Sequence, residues 1–342
     1  MPLPSGQSSA VARGAATPGG NSQAGARRGK IGKKRTTRRS RNTSRQESED
    51  VAPSEDTNQT AETEEKENAR GGRGGLDAET AAIMNAFVDR LGAAGVAGLQ
   101  REYAELKAFL PPNRSATAFE ANRMRNRYSD QLCYDATRVK LTYNVPPDVD
   151  YIHANIVDIP GLGNRFICAQ ASARQPSLPI RTDAHFDRAF GCVSLEVGER
   201  SAPAALRLHV YTWKEWPDKG VPPAGFGVLR LLRTIRRFRN GNIVVHCSAG
   251  VGRTGTVVAL AIIVARLLDK KPFTVYDVVK DLRCRRHNAV QTEAQYLFIH
   301  RTVCEYIQTK GLQRPQIAQF MADYAAYVKA QTPAHPPSTS IV

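Results

Sequence analysis

A thiol and a guanidinium stand six residues apart in His246-Cys-Ser-Ala-Gly-Val-Gly-Arg-Thr-Gly255, and both suit phosphoryl chemistry. A loop wound ahead of a helix N-terminus turns successive backbone N–H groups inward, so Ser248, Ala249, Gly250, Val251 and Gly252 can line an anion cradle. Small side chains let that backbone approach a phosphate closely. Arg253 would add a planar two-donor fork to the same oxygens and hold the group as charge redistributes in the transition state. The same dipoles favour thiolate over thiol at Cys247, because a free cysteine of pKa about 8.5 is mostly protonated at neutral pH. Thr254 could donate a hydroxyl hydrogen bond to the sulfur when it becomes a leaving group.

Two other readings compete. Cys247 could be a buried core thiol beside a Gly-rich turn. Gly250-Val-Gly-Arg-Thr-Gly255 also satisfies the dinucleotide pattern G-x-G-x-x-G, with Asp269 about 20 residues on. The context opposes that reading, since the acid should end a second strand, whereas Asp269 directly follows a helix and Lys270-Lys-Pro272 turns into another.

The elements around the loop follow from periodicity. Ile243-Val-Val245 reads as a short strand and Thr256 to Leu268 as a buried helix, which puts the cradle between strand and helix. Upstream, Ile83 to Leu91 and Leu99 to Leu110 give two short helices broken around Gly92 and Gly95 and stopped by Pro111-Pro112. Val139 to Tyr143, Tyr151 to Ile156, Arg165 to Gln170 and Leu206 to Tyr211 read as strands. Val228, Leu231, Leu232 and Ile235 form a helical stripe whose other faces carry Arg230, Arg233, Arg236 and Arg237, read as a solvated face. Helices near Thr274 to Leu282 and Thr292 to Ile307 close the domain. The expected class is α/β, a twisted mixed sheet flanked by helices, over residues 76–312, followed by a C-terminal extension, 313–342.

The first 75 residues read as a disordered tail. Eleven Lys or Arg and no acid occupy positions 1–46, then nine acids face Lys66 alone before Arg70-Gly-Gly-Arg-Gly-Gly75. Without aromatics the tail cannot bury enough surface to offset its ordering entropy. Lys33-Lys-Arg35 and Arg38-Arg39 could serve nuclear import or bind nucleic acid, and a solvated linker is an equal alternative. Residues 76–342 hold 34 basic and 23 acidic residues, so the folded part is itself basic and suited to anionic partners.

The sequence begins without an apolar leader, and its longest apolar stretch is too short to span a bilayer. A cytoplasmic protein without a membrane span is expected, with the nucleus as a second option. The six cysteines are scattered without a Cys-x-x-Cys pair, so free thiols, no metal and no cofactor are expected.

His246 to Gly255 resembles the signature loop of the cysteine-dependent protein tyrosine phosphatases, and the resemblance runs from about Leu99 to Ile307. Trp216-Pro-Asp218, ending 29 residues before Cys247, is similar to the family's mobile acid loop. It implies that Asp218 protonates the departing tyrosine oxygen and later takes a proton from attacking water. Gln291-Thr-Glu-Ala-Gln295 resembles the glutamine loop, in which Gln291 would position that water and Gln295 would join the substrate site. Asn126-Arg-Tyr-Ser-Asp130 resembles the segment that sets substrate depth, with Tyr128 stacking on the phosphotyrosine ring and Asp130 holding substrate backbone amides. The resemblance implies hydrolysis of phosphotyrosine in protein substrates through a phosphocysteine.

The chain departs from the family between Gln170 and Asp218, where only 47 residues intervene. The departure implies that a central strand is lost, together with the glutamate that normally pairs with the signature arginine, here Arg253. It makes a phosphotyrosine-binding pseudophosphatase the alternative function. His153 also stands where the family commonly has Asn.

Overall fold

The computed structural model describes residues 76–143, 145–146, 149–159, 163–171, 190–197, 206–213, 216–238 and 241–331. The expected tail over 1–75, with its basic clusters, and the end of the C-terminal extension lie outside the described residues.

Helix α1 (Ala78–Ala108) begins where Asp77 accepts from the Thr80 N–H at 3.1 Å. It buries Met84, Phe87, Val88 and Leu91, then Leu99, Tyr103 and Leu106. Gly95 bends it at φ 57°, so the two expected helices form one kinked element. A short helix α2 (Thr117–Ala121) and a 3-10 turn (Arg123–Arg125) lead into the segment carrying Tyr128 and Asp130.

The strands are β1 (Arg138–Lys140), β2 (Tyr151–Val157), β3 (Arg165–Ala169), β4 (Phe190–Val197), β5 (Leu206–Trp213) and β6 (Asn242–His246). They make a mixed four-stranded sheet of order β1-β2-β3-β6, antiparallel except for the parallel β3–β6 pair. The strand expected at Val139 to Tyr143 is short, ending at Lys140. β4 was not anticipated; it forms a separate antiparallel hairpin with β5. Among the described residues β3 is the ladder partner of β6, and Val244 is 61 % exposed. The described sheet therefore ends at the strand that feeds the cysteine loop, where the shortened segment implies a lost neighbour.

Helix α3 (Phe226–Ile235) buries Val228, Leu232 and Ile235 and leaves its arginines exposed, as its stripe predicts. α4 (Gly252–Leu268) is apolar on every side and lies at the centre of the core, with Leu260, Ile262 and Ile263 fully buried. Thr274 caps α5 (Val275–Arg285), and a capping box of Thr292 and Gln295 starts α6 (Glu293–Thr309). From the C-terminal extension, α7 (Pro315–Gln331) inserts Ile317, Phe320 and Tyr324 into the core shared with α1 and α6. All six cysteines are free. No helix among the described residues is long and apolar enough to cross a membrane.

Candidate active site

The cysteine loop begins where β6 runs out beside β3, with Ala169 opposite His246. Its turn requires Gly250, which has φ 71° and passes so close to β3 that a Cβ would lie 2.1 Å from the Ala169 carbonyl oxygen. Arg286, fully buried at the end of α5, donates from Nη2 to the Ala249 carbonyl at 2.8 Å and from Nε to the Gly250 carbonyl at 2.9 Å. A trans peptide carries its C=O and N–H on opposite sides. Holding those two carbonyls outward therefore aims the N–H groups of Gly250 and Val251 inward, and the Gly250 N–H reaches the Cys247 sulfur at 3.2 Å.

Burial alone would raise the pKa of the Cys247 thiol. The Thr254 hydroxyl and the N–H groups of Thr254, Gly250 and Val251 outweigh burial and hold it below the ordinary thiol value. Thr254 Oγ1 is itself buried and no other group takes its hydrogen bond. α4 starts at Gly252 with no side-chain cap at Val251, which leaves its first N–H groups and its positive dipole end directed at the loop.

Arg253, in the first turn of α4, turns toward the acid loop. Its Nη1 donates to the Trp216 carbonyl at 3.1 Å and its Nη2 to Asp218 Oδ1 at 2.8 Å. Trp216 is buried against Trp213 and Phe298, and its Nε1 donates to the Gly220 carbonyl at 2.9 Å. The Thr292 hydroxyl donates to the Lys219 carbonyl at 3.1 Å, and Glu305 accepts the Gly225 N–H at 2.9 Å. Asp218 is thus carried on a loop tied down at both ends and stands exposed above the cysteine loop.

Tyr128 meets Ser248 across the site, hydroxyl to hydroxyl, at 2.6 Å. Asp130 is exposed on the same segment and accepts from Gln131 Nε2 at 2.9 Å. Gln291 and Gln295 both lie over Gly252, where an added Cβ would come within 3.2 Å of each. Gln295 is fully buried and accepts the N–H groups of Gln291 and Thr292 with its Oε1, so its amide braces the glutamine loop.

Sequence reasoning missed Arg286. It sits in the run Arg283-Cys-Arg-Arg286, where nothing in a single sequence distinguishes a buried arginine from solvated ones. His153 and Asn155 are its partners on β2. His153 Nδ1 lies 3.2 Å from Arg286 Nη2, and Asn155 Oδ1 accepts from Arg286 Nη1 at 2.7 Å.

The model of the protein-tyrosine phosphatase family matches residues 122–186 and 177–305, which takes in the acid loop, the cysteine loop and the glutamine loop. The chain belongs to the protein-tyrosine phosphatase family. Among its phosphatase relatives, the rat receptor-type tyrosine-protein phosphatase zeta is 27% identical over 286 residues, 64% of this chain and 12% of the relative. The human receptor-type tyrosine-protein phosphatase alpha is 30% identical over 243 residues, 56% of this chain and 30% of the relative. The chain therefore spans well under half the length of these relatives. The catalytic domain of human protein tyrosine phosphatase non-receptor type 18 shares the fold with TM-score 0.54 at 24% identity, covering 65% of this chain and 99% of that one. The Trypanosoma cruzi phosphatase TcPTP1 gives TM-score 0.54 at 23% identity, covering 65% and 94%.

Proposed function

We propose that this chain hydrolyses phosphotyrosine in protein substrates through a phosphocysteine intermediate formed on Cys247, with the activity carried by residues 76–312. The observation that carries the reading is the pair of peptide units at Ala249–Gly250 and Gly250–Val251, whose N–H groups converge on a thiol already biased toward its anion.

The substrate phosphate would take the inward N–H groups and the Arg253 guanidinium, displacing Asp218 from Nη2. The Cys247 thiolate attacks phosphorus, the S–P bond forms and the P–O bond to tyrosine breaks. Asp218, in its acid form, gives its proton to the leaving phenolate oxygen. A water oriented by Gln291 then attacks phosphorus while Asp218 takes its proton. The S–P bond breaks, and inorganic phosphate and the thiolate are released. Tyr128, anchored through Ser248, forms a wall of the pocket against the substrate ring, and Asp130 faces the substrate backbone.

The test is turnover of a phosphotyrosine peptide by the full chain. Hydrolysis abolished by Cys247→Ser supports the reading; hydrolysis unaffected by that change sinks it. A second reading, a pseudophosphatase that binds phosphotyrosine proteins, is favoured by β6 lying at the edge of the described sheet. It expects saturable peptide binding with no release of phosphate, and Cys247-dependent turnover rejects it.

A further inference from the structure

His153 lies on β2, where the family commonly has Asn, and it touches the two parts of the site that must stay in register. Its Nε2 is 2.7 Å from the carbonyl oxygen of Gln131, in the segment carrying Tyr128 and Asp130. Its Nδ1 is 3.2 Å from Arg286 Nη2, the same nitrogen that holds the Ala249 carbonyl. A carbonyl can only accept and a guanidinium can only donate, so one tautomer satisfies both contacts: Nε2 protonated, Nδ1 bare, the ring neutral.

We propose that His153 is a positioning residue that fastens the substrate-recognition segment to the cysteine loop, and that one proton on its Nδ1 unfastens them. The proton would set an N–H against an N–H and an imidazolium against a buried guanidinium. Arg286 would then lose its acceptor and its grip on the Ala249 and Gly250 carbonyls, whose peptide units aim the inward N–H groups.

The surroundings oppose that proton. Burial and Arg286 hold the pKa of His153 down at about 4, and the charge of His287 adds to this. The other titratable groups facing Arg286 are the thiols of Cys168 on β3, Cys133 and Cys247, and the Tyr151 hydroxyl. Asp130 acts on His287, which accepts the Leu132 N–H at 3.2 Å. Phe119 closes the remaining side of the ring edge-on.

The inference rests on the phosphatase reading of the Cys247 loop, and its test does not need turnover. Iodoacetamide labelling of Cys247 in the full chain is followed by peptide mapping from about pH 3 to pH 7 in wild type, His153→Ala and His153→Asn, so that the series runs below the His153 pKa of about 4. In wild type the acid limb should become steeper than one proton allows, approaching about a hundredfold per pH unit, whereas His153→Asn should fall only about tenfold per unit. His153→Ala should lower labelling about tenfold or more throughout, and His153→Asn should restore most of it. Equal limbs in wild type and His153→Asn overturn the proposal. Should the variants not fold, nitrogen-resolved NMR of wild type decides: a neutral ring with Nε2–H near neutral pH is expected, and an Nδ1–H tautomer or a normal titration overturns it. Turnover with equal limbs defeats this inference alone; steep limbs without turnover defeat the enzymatic reading alone.

Discussion

Asp218 lies 2.8 Å from Arg253, and the Trp216 carbonyl two residues earlier takes the other terminal nitrogen of the same guanidinium. The acid loop thereby supplies the orienting contacts for this arginine. In the proposed reaction Asp218 then has two tasks, the proton and the arginine. Asp218→Ala should lower kcat on phosphotyrosine peptide about a hundredfold or more through loss of the acid. It should also tighten competitive inhibition by inorganic phosphate, because the carboxylate that phosphate must displace from Arg253 is gone. Asp218→Asn should lose the acid function yet keep phosphate inhibition, and the two inhibition constants measured side by side check this.

Thr254→Val removes a donor that favours the Cys247 anion. Losing a donor to the charged form raises an acid's pKa, so less thiolate should exist at neutral pH. The pH midpoint of Cys247 alkylation should move upward while the melting temperature stays close to that of wild type.

At Gly250 two penalties coincide, a left-handed backbone and a β3 carbonyl 2.1 Å from any Cβ. Gly250→Ala should destabilise the fold by about 1–3 kcal/mol, seen as a shifted urea midpoint, with phosphate inhibition lost.

Stability should fall on acidification before the carboxylates titrate. His153 and the fully buried His300 have folded-state pKa values lowered from 6.5 to about 4, chiefly by burial. Between those values the unfolded chain binds more protons, so unfolding free energy rises with pH across the window from about 4 to 6.5. Each histidine contributes about 3 kcal/mol over that span. His300→Phe should flatten the urea-midpoint profile between those pH values, and an unchanged profile would contradict the assignment.

Most of this site could be read in the sequence because its chemistry is local. Cys247, Arg253 and Thr254 share one turn, and the strand and apolar helix on either side force the loop between them. Leu206 to Tyr211 gave a strand by alternation, but its partner β4, with Gly191 and Cys192 early in it, carries weaker β preference and depends on pairing. Arg286 was illegible for another reason. Its burial is set by Ala249, Gly250, His153 and Asn155, contacts more than 30 residues away along the chain. Such long-range satisfaction of a polar group leaves no periodic trace. The Asp218–Arg253 pair was equally hidden, since motif spacing says what a loop carries but not which partner it takes.

Arg286 is fully buried, and among the described residues no carboxylate pairs with it. Four acidic groups surround it, and burial pushes three of them away from ionisation, Cys168 up to about 12. Only Cys247 is shifted toward its anion. The donors that favour its anion are the Thr254 hydroxyl and the N–H groups of Thr254, Gly250 and Val251, two of them on peptide units that Arg286 holds by their carbonyls. A reagent that caps the sulfur covalently would remove the anion those donors favour and leave the inward N–H groups of the loop facing a neutral thioether.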